Sequence, residues 1–210
     1  CSNMVLPKNE DMVLRPITPY AASKMSGEGV SLAYAKTYDL PVSTFRFFNI
    51  FGPWQRPDHE YAAVLPKWIS KCMKGDEIEI FGDGEQTRAF SYIDDILPCL
   101  WKSATLECAK NERINLGGKK HVSLNDAAKL VSKITGKNDL VYLEPRHEVK
   151  HAWSSYEKSE VLLGYEENTS LECGLELMWE WAKSQKSRKR VFWPNYELEK
   201  NIYSYWQDKD

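Results

Sequence analysis

Stretches with helical character alternate along the chain with short runs of apolar and β-branched residues. Residues 20–38 are rich in Ala, Ser, Lys, Met, Glu and Leu and contain no proline, which predicts a helix. The run VSTFRFFN at 42–49 is β-branched and aromatic and predicts a buried strand, which Gly52 and Pro53 end. The same patterns predict further helices at 62–73, 94–106, 123–135, 156–163 and 170–186, and further strands at 78–81, 89–93, 113–116 and 140–143.

Capping residues mark the predicted ends of two of these helices. Asp94 is the expected N-cap of helix 94–106. Ser123, with Asp126 three residues later, resembles a capping box, and Gly136 is expected to end the helix that Ser123 starts. Because strands alternate with long helices, the sequence predicts an α/β fold with a largely parallel sheet.

Composition and charge exclude several classes of protein. Hydrophobic residues make up 42% and charged residues 28% of the 210 residues, which is globular composition and excludes a disordered chain. The 28 Lys and Arg residues against 30 Asp and Glu residues leave no basic excess, so a nucleic-acid partner or an anionic membrane surface is disfavoured. No apolar run approaches the roughly 20 residues of a transmembrane span. The five widely spaced cysteines, without a CxxC pair, predict reduced thiols in a cytoplasmic protein and no metal site.

A candidate acid–base pair lies at the start of the first predicted helix. Tyr20 and Lys24 are four residues apart, so their side chains share one helix face. A phenol is a poor base at neutral pH unless a nearby cation favours its ionised form, and a lysine ammonium provides that cation. The same spacing occurs at 196–200 and 205–209 in the polar tail, so spacing alone does not decide between a base and a surface contact. Pro19 distinguishes Tyr20, because it places the tyrosine at a loop-to-helix junction that can face a cleft.

Four motifs carry a resemblance to the extended short-chain dehydrogenase/reductase family of nucleotide-sugar epimerases and dehydratases. They occur in that family's order over residues 7–182. The segments QRP at 55–57 and YAAVLPKWI at 61–69 are most similar to the UDP-hexose 4-epimerase branch, including enzymes that act on N-acetylated UDP-sugars. The four motifs are PYAASK at 19–24, RFFNIFGP at 46–53, FGDGEQTRAFSYIDD at 81–95, and PRHEV at 145–149 followed by EK at 157–158 and LGY at 163–165.

The resemblance implies a role for individual residues. Tyr20 resembles the family's catalytic base, and Lys24 resembles the lysine that binds the cofactor ribose and assists the base. Phe47 matches a position near the nicotinamide of NAD. The implied substrate is a UDP-sugar, whose diphosphate suits arginine because a planar guanidinium makes bidentate bonds to phosphate. The resemblance assigns Asn49, Arg88 and Arg146 to the diphosphate and Val64, Ile80 and Phe81 to the uracil.

The resemblance also implies a fold, a domain division and an oligomeric state. The expected fold is the C-terminal part of a Rossmann-like parallel sheet with a smaller α/β substrate-binding lobe. A homodimer is expected through the helix at 20–38, whose small residues Ser26, Gly29 and Ala33 allow close approach of another helix. The expected domains are the remainder of the NAD-binding domain at 1–53 and 89–118, the substrate lobe at 54–88 and 119–186, and a C-terminal tail helix at 187–210.

Two features of the family are missing from the sequence. The Gly-rich loop that cradles the NAD pyrophosphate is absent, since neither GxGxxG nor GxxGxxG occurs. Ser2 lies closer to Tyr20 than the family's catalytic Ser or Thr, so that role is not assigned to it. The leading hypothesis is epimerisation at C4 of a UDP-sugar; a nucleotide-sugar dehydratase or decarboxylase, and a non-catalytic sugar-nucleotide-binding protein, remain as alternatives.

Overall fold

The computed structural model describes residues 5–58, 62–136, 139–145 and 149–186. Its helices are α1 (Pro19–Tyr38), α2 (Val64–Lys74), α3 (Ile93–Ser103), α4 (Leu124–Thr135), α5 (Glu157–Leu163) and α6 (Leu171–Lys183), with a short 3₁₀ turn at Glu107–Ala109. Its strands are β1 (Thr44–Phe48), β2 (Ile50–Phe51), β3 (Ile78–Phe81), β4 (Thr87–Ala89), β5 (Ser91–Tyr92), β6 (Arg113–Gly117), β7 (His121–Ser123), β8 (Leu140–Leu143) and β9 (His151–Ala152).

Parallel pairing dominates the sheets, so the predicted α/β class is confirmed. Strand β1 pairs with β6, β2 with β5, β3 with β8 and β4 with β9, all in parallel. Strand β7 pairs antiparallel with β4. In the described part of the chain, no helix combines the length and the apolar character that crossing a membrane requires.

The long elements match the predictions, and local chemistry explains their ends. Helix α1 begins at Pro19, and the Thr18 hydroxyl accepts a hydrogen bond from the backbone N–H of Ala21 at 3.1 Å. Ser123 caps α4 as predicted, since its hydroxyl accepts from the N–H of Asp126 at 3.0 Å. Gly136 ends α4 in the left-handed conformation, with a φ of 75°, which glycine adopts without steric cost.

The region around residues 87–95 differs from the prediction. The expected strand 89–93 is two strands, because β4 pairs with β7 and β9 whereas β5 pairs with β2. The expected N-cap Asp94 is wrong: Tyr92 is the N-cap, and Asp94 lies in the first turn of α3. A carboxylate there is still favourable, because it faces the positive end of the helix dipole. Asp95, beside it, accepts hydrogen bonds from the N–H and the hydroxyl of Thr169 at 3.0 and 3.1 Å.

Buried side chains form two hydrophobic clusters. The first cluster joins α2, α4 and α6 to β3, with Trp68, Ile80, Val131 and Leu175 among its members. The second cluster joins α3 and α5 to β6. The predicted lobe boundaries stay predictions. In the second cluster, Leu163 of α5, from the predicted substrate lobe, packs with residues of α3 and β6, from the predicted NAD-binding domain. The predicted tail helix at 187–210 lies outside the described residues.

Candidate active site

Tyr20, Lys24 and Phe47 line one open groove of about 610 Å³. Three segments form its walls: the loop at 14–16, the first three turns of α1, and strand β1. Two aromatic side chains are unusually accessible there, since Tyr20 is 58% and Phe47 51% exposed. The groove is therefore lined by two accessible aromatic side chains, one of which carries a phenol hydroxyl.

The start of α1 determines where Tyr20 and Lys24 point. Pro19 occupies the first turn of the helix, where its missing N–H removes no hydrogen bond. Tyr20 follows directly, and Lys24 lies one turn later on the same face. The Lys24 Nζ atom is 5.4 Å from the centroid of the Tyr20 ring, which is a cation–π contact. The structure thus brings the predicted pair together at the groove.

A second cavity, of about 250 Å³, contains five of the six predicted substrate-binding residues. It lies where α2, β3 and β4 meet the end of β1. Its lining combines buried apolar side chains with a few polar ones, a composition typical of small-molecule sites. The five residues are Asn49, Val64, Ile80, Phe81 and Arg88; the sixth, Arg146, lies outside the described residues.

Backbone carbonyls hold the two polar residues of this set in place. Asn49 has a positive φ of 46°, and its Nδ2 donates to the carbonyl oxygen of Ala89 at 3.1 Å. The Nη1 of Arg88 donates to the carbonyl oxygens of Thr87 and Lys150 at 2.8 and 3.0 Å. Arg88 therefore lines the cavity and also joins β4 to the segment that leads into β9.

Other residues of the cavity were not predicted as site residues. Gln86 is buried and donates from Nε2 to the carbonyl oxygen of Phe81 at 2.8 Å, which fixes the end of β3. The Nε1 of Trp68 donates to the carbonyl oxygen of Glu79 at 2.7 Å. Gln86 lies inside the motif at 81–95 and Trp68 inside the segment at 61–69, so the quoted stretches contained a signal for both residues.

The groove also contains a half-buried ion pair that sequence reasoning missed. Arg46 binds Glu28 through two parallel hydrogen bonds, Nε to Oε2 at 2.8 Å and Nη2 to Oε1 at 2.7 Å. These bonds and the charge of Arg46, with a further contribution from Arg113, lower the pKa of Glu28, although burial acts in the opposite direction. Glu28 continues the four-residue spacing of Tyr20 and Lys24, which was the available signal.

The fold and these two sites define the class of protein. The family described as "NAD dependent epimerase/dehydratase family" matches residues 2–117, which is more than half of the chain. The chain belongs to this family.

Particular relatives refine the comparison. A UDP-glucuronate 4-epimerase of Thermodesulfobacterium geofontis is 38% identical over 181 residues, covering 84% of this chain and 54% of the relative. A crystal structure of UDP-glucuronic acid 4-epimerase from Bacillus cereus with UDP-glucuronic acid and NAD has a TM-score of 0.77 and 34% identity, over 84% of this chain and 56% of that one.

A third relative carries a different sugar at its site. The UDP-N-acetylglucosamine 4-epimerase of Methanobrevibacter ruminantium M1, solved in complex with UDP-N-acetylmuramic acid, has a TM-score of 0.81 and 31% identity. The match covers 88% of this chain and 59% of that one. The chain therefore spans between 54% and 59% of the length of these three proteins.

Proposed function

We propose that this chain carries the base and the substrate-binding cavity of an NAD-dependent UDP-sugar 4-epimerase. The observation that carries the proposal is the sorting of the predicted residues into two neighbouring sites. Tyr20, Lys24 and Phe47 line the groove, whereas the described residues assigned to uracil and diphosphate line the cavity. Phe47 and Asn49 are only two residues apart, so β1 links the two sites.

The groove residues fit the nicotinamide end of NAD. The exposed ring of Phe47 offers a flat surface for a nicotinamide, and the Lys24 ammonium offers donors for ribose hydroxyls. The sequence has no Gly-rich loop, so these residues account for the reactive end of NAD and not for its pyrophosphate. When bound, NAD accepts a hydride from the sugar and returns it.

Tyr20 moves the proton in this proposal. Its phenolate oxygen takes the proton of the 4-hydroxyl while the C4–H bond breaks and a C4=O bond forms. The 4-keto sugar, planar at C4, would then turn so that the opposite face of C4 meets the hydride that NAD would supply. Tyr20 gives the proton back to the carbonyl oxygen, so no proton or electron pair is gained or lost over the cycle.

Substrate binding must be firm at one end and loose at the other. Arg88, Asn49 and Arg146 would hold the diphosphate, and Val64, Ile80 and Phe81 would surround the uracil. These contacts do not involve the sugar, so the sugar can rotate while the nucleotide stays bound. Charge-assisted hydrogen bonds to phosphate suit this firm end.

The predicted homodimer also belongs to the proposal. Helix α1 exposes Val30, Tyr34 and Tyr38 along its length. Gly29 faces open space, because no described atom outside its own helix lies within 4 Å of the point that a Cβ would occupy. Apolar and small residues on an exposed helix favour association with a second copy of the chain. The proposal places this dimer in the cytoplasm. Light scattering measures the mass of the particle in solution and so tests the dimer. A monomer would contradict the dimer and leave the chemistry unaffected.

The proposed function is tested by conversion of sugars and by binding of the nucleotide. UDP-glucose, UDP-N-acetylglucosamine and UDP-glucuronic acid are incubated with the protein and NAD, and the C4 epimers are detected by NMR. Conversion of one of them supports the epimerase. The family includes dehydratases, and a 4-keto-6-deoxy product would replace the epimerase with that alternative. UDP binding in calorimetry without any turnover would favour a non-catalytic sugar-nucleotide-binding protein.

A further inference from the structure

One guanidinium connects two walls of the groove, β1 and α1, to the loop that precedes α1. Arg46 belongs to strand β1, and two of its nitrogens bind Glu28 of helix α1. Its Nη1 donates to the backbone carbonyl oxygen of Glu10, in the loop that precedes α1, at 3.1 Å. Strand, helix and loop therefore meet at a single side chain.

The loop is itself fixed to the neighbouring strand. Glu10 is buried, and its Oε1 accepts a hydrogen bond from the backbone N–H of Asn115 in β6 at 2.8 Å. The Nδ2 of Asn115 donates to the carbonyl oxygen of Lys8 at 2.9 Å. Arg46 therefore binds a loop that is itself hydrogen-bonded to β6.

Helix α1 has little apolar burial of its own. Within α1, all of which the structure describes, Ala35 near the C-terminal end is the buried residue. Tyr20 and Lys24 lie at the other end, two turns and one turn before Glu28. A helix rises 1.5 Å per residue, so Glu28 anchors the helix about 12 Å from Tyr20 on the same side.

The pair is sufficiently buried to act as a strong contact. The side chains of Arg46 and Glu28 are 17% and 15% exposed. Two parallel N–H···O bonds to a carboxylate fix an angle as well as a distance, which a single lysine contact would not do. Removing either partner of such a pair leaves the charge of the other without a counter-charge, at a position that water reaches poorly.

We propose that Arg46 and Glu28 are positioning residues, which hold the Tyr20 hydroxyl opposite the Phe47 ring. The inference rests on the proposed function for its catalytic consequence. Neither residue touches the reacting atoms. They fix the rotation of α1 against β1, and a displacement of about 1 Å at a reacting group can cost about 10²-fold in rate.

Hydrogen exchange tests the anchoring itself and needs no activity. Glu28→Gln and Arg46→Lys are compared with Glu172→Gln, a matched change in an exposed pair with Lys133 at 2.8 Å. We expect the backbone amides of residues 20–31 to exchange about 10-fold faster in the first two variants and unchanged in the third. Unchanged exchange in Glu28→Gln and Arg46→Lys would overturn the proposal.

Kinetics test the positioning. Turnover is measured per UDP-binding site, with the number of sites taken from calorimetric titration, so that misfolded protein does not count. We expect kcat to fall about 10- to 100-fold with KM and UDP affinity within about two-fold, because neither Arg46 nor Glu28 lines the cavity assigned to the nucleotide. Unchanged kcat per site would reduce the pair to a stability contact and refute the positioning role. If the wild-type protein converts no UDP-sugar, the proposed function fails, and hydrogen exchange still decides the anchoring.

Discussion

Arg88 offers the sharpest test of the cavity, because the structure assigns it two separable roles. Its side chain lines the cavity, and its Nη1 also binds the carbonyl oxygens of Thr87 and Lys150. Replacement by alanine removes both roles. Replacement by lysine keeps a positive charge near the phosphates but loses the planar fork.

The two roles predict losses of different size in different measurements. A hydrogen bond from a charged group to a phosphate contributes about 1.5–3 kcal/mol, which corresponds to about 10- to 150-fold in affinity. Arg88→Ala should weaken UDP and the UDP-sugar by the same factor, because the sugar takes no part in the contact. The lost bonds to the carbonyl oxygens of Thr87 and Lys150 should cost about 1 kcal/mol of folding stability, because the Lys150 oxygen keeps a hydrogen bond from the N–H of Thr87 at 2.9 Å. That corresponds to about 2–4 °C in Tm.

Calorimetric titration of UDP and thermal denaturation separate these effects. Lys129→Ala is the control, because it removes an exposed cation of α4 that pairs loosely with Asp126 at 3.8 Å. We expect Arg88→Lys to recover part of the affinity and little of the stability. A lower Tm with unchanged UDP affinity in Arg88→Ala would show that Arg88 only joins strands, and it would refute the assignment to the diphosphate.

Three further predictions concern individual side chains of the groove and of the first hydrophobic cluster. Tyr20→Phe should lower turnover about 10²-fold or more with UDP binding unchanged, measured by the NMR assay and calorimetry; wild-type turnover would remove Tyr20 from the mechanism. Gly174→Ala should destabilise the fold by about 1–3 kcal/mol in urea denaturation, because a Cβ there would lie 2.6 Å from the Cζ of Phe51. The control Gly27→Ala should be neutral or stabilising, because a Cβ at Gly27 would face open space. Because the pKa of Glu28 is lowered on folding, its stabilising effect is present above the unfolded pKa and is lost as the pH falls through the folded one. The Tm difference between wild type and Glu28→Gln should therefore be large at pH 7 and shrink below about pH 4; a difference independent of pH would contradict this.

The predicted residues that line the groove and most of those assigned to the cavity lie in contiguous motifs, and the resemblance implied their roles, which stay predictions. Tyr20 and Lys24 follow from helical spacing after a proline, and Asn49 and Arg88 lie within contiguous motifs. Helix α4 follows from its own capping residues. In each case the residues on which the prediction rests lie close together in the sequence, so a short stretch of chain is enough to make the prediction.

The remaining features depend on pairing between distant residues. The expected strand at 89–93 divides because its two halves meet different partners, and the three-residue β7 and two-residue β9 are too short for periodicity to reveal them. The bond between Glu10 and Asn115 joins residues 105 positions apart, which no local pattern could indicate. Tyr92, rather than the acidic Asp94, begins α3 because its backbone completes β5 first.

The short strand β2 lies on the boundary between the two hydrophobic clusters. Ile50 packs against the second cluster, whereas its neighbour Phe51 belongs to the first. The chain crosses the boundary again just after β5, since Tyr92 is in the first cluster and Ile96 in the second. Backbone pairing of Ile50 with Ser91 and of Phe51 with Tyr92 holds the two crossings side by side. Sliding one half of the molecule past the other would therefore break this pairing. Strand β2 directly follows Asn49, so the boundary between the two clusters adjoins the cavity.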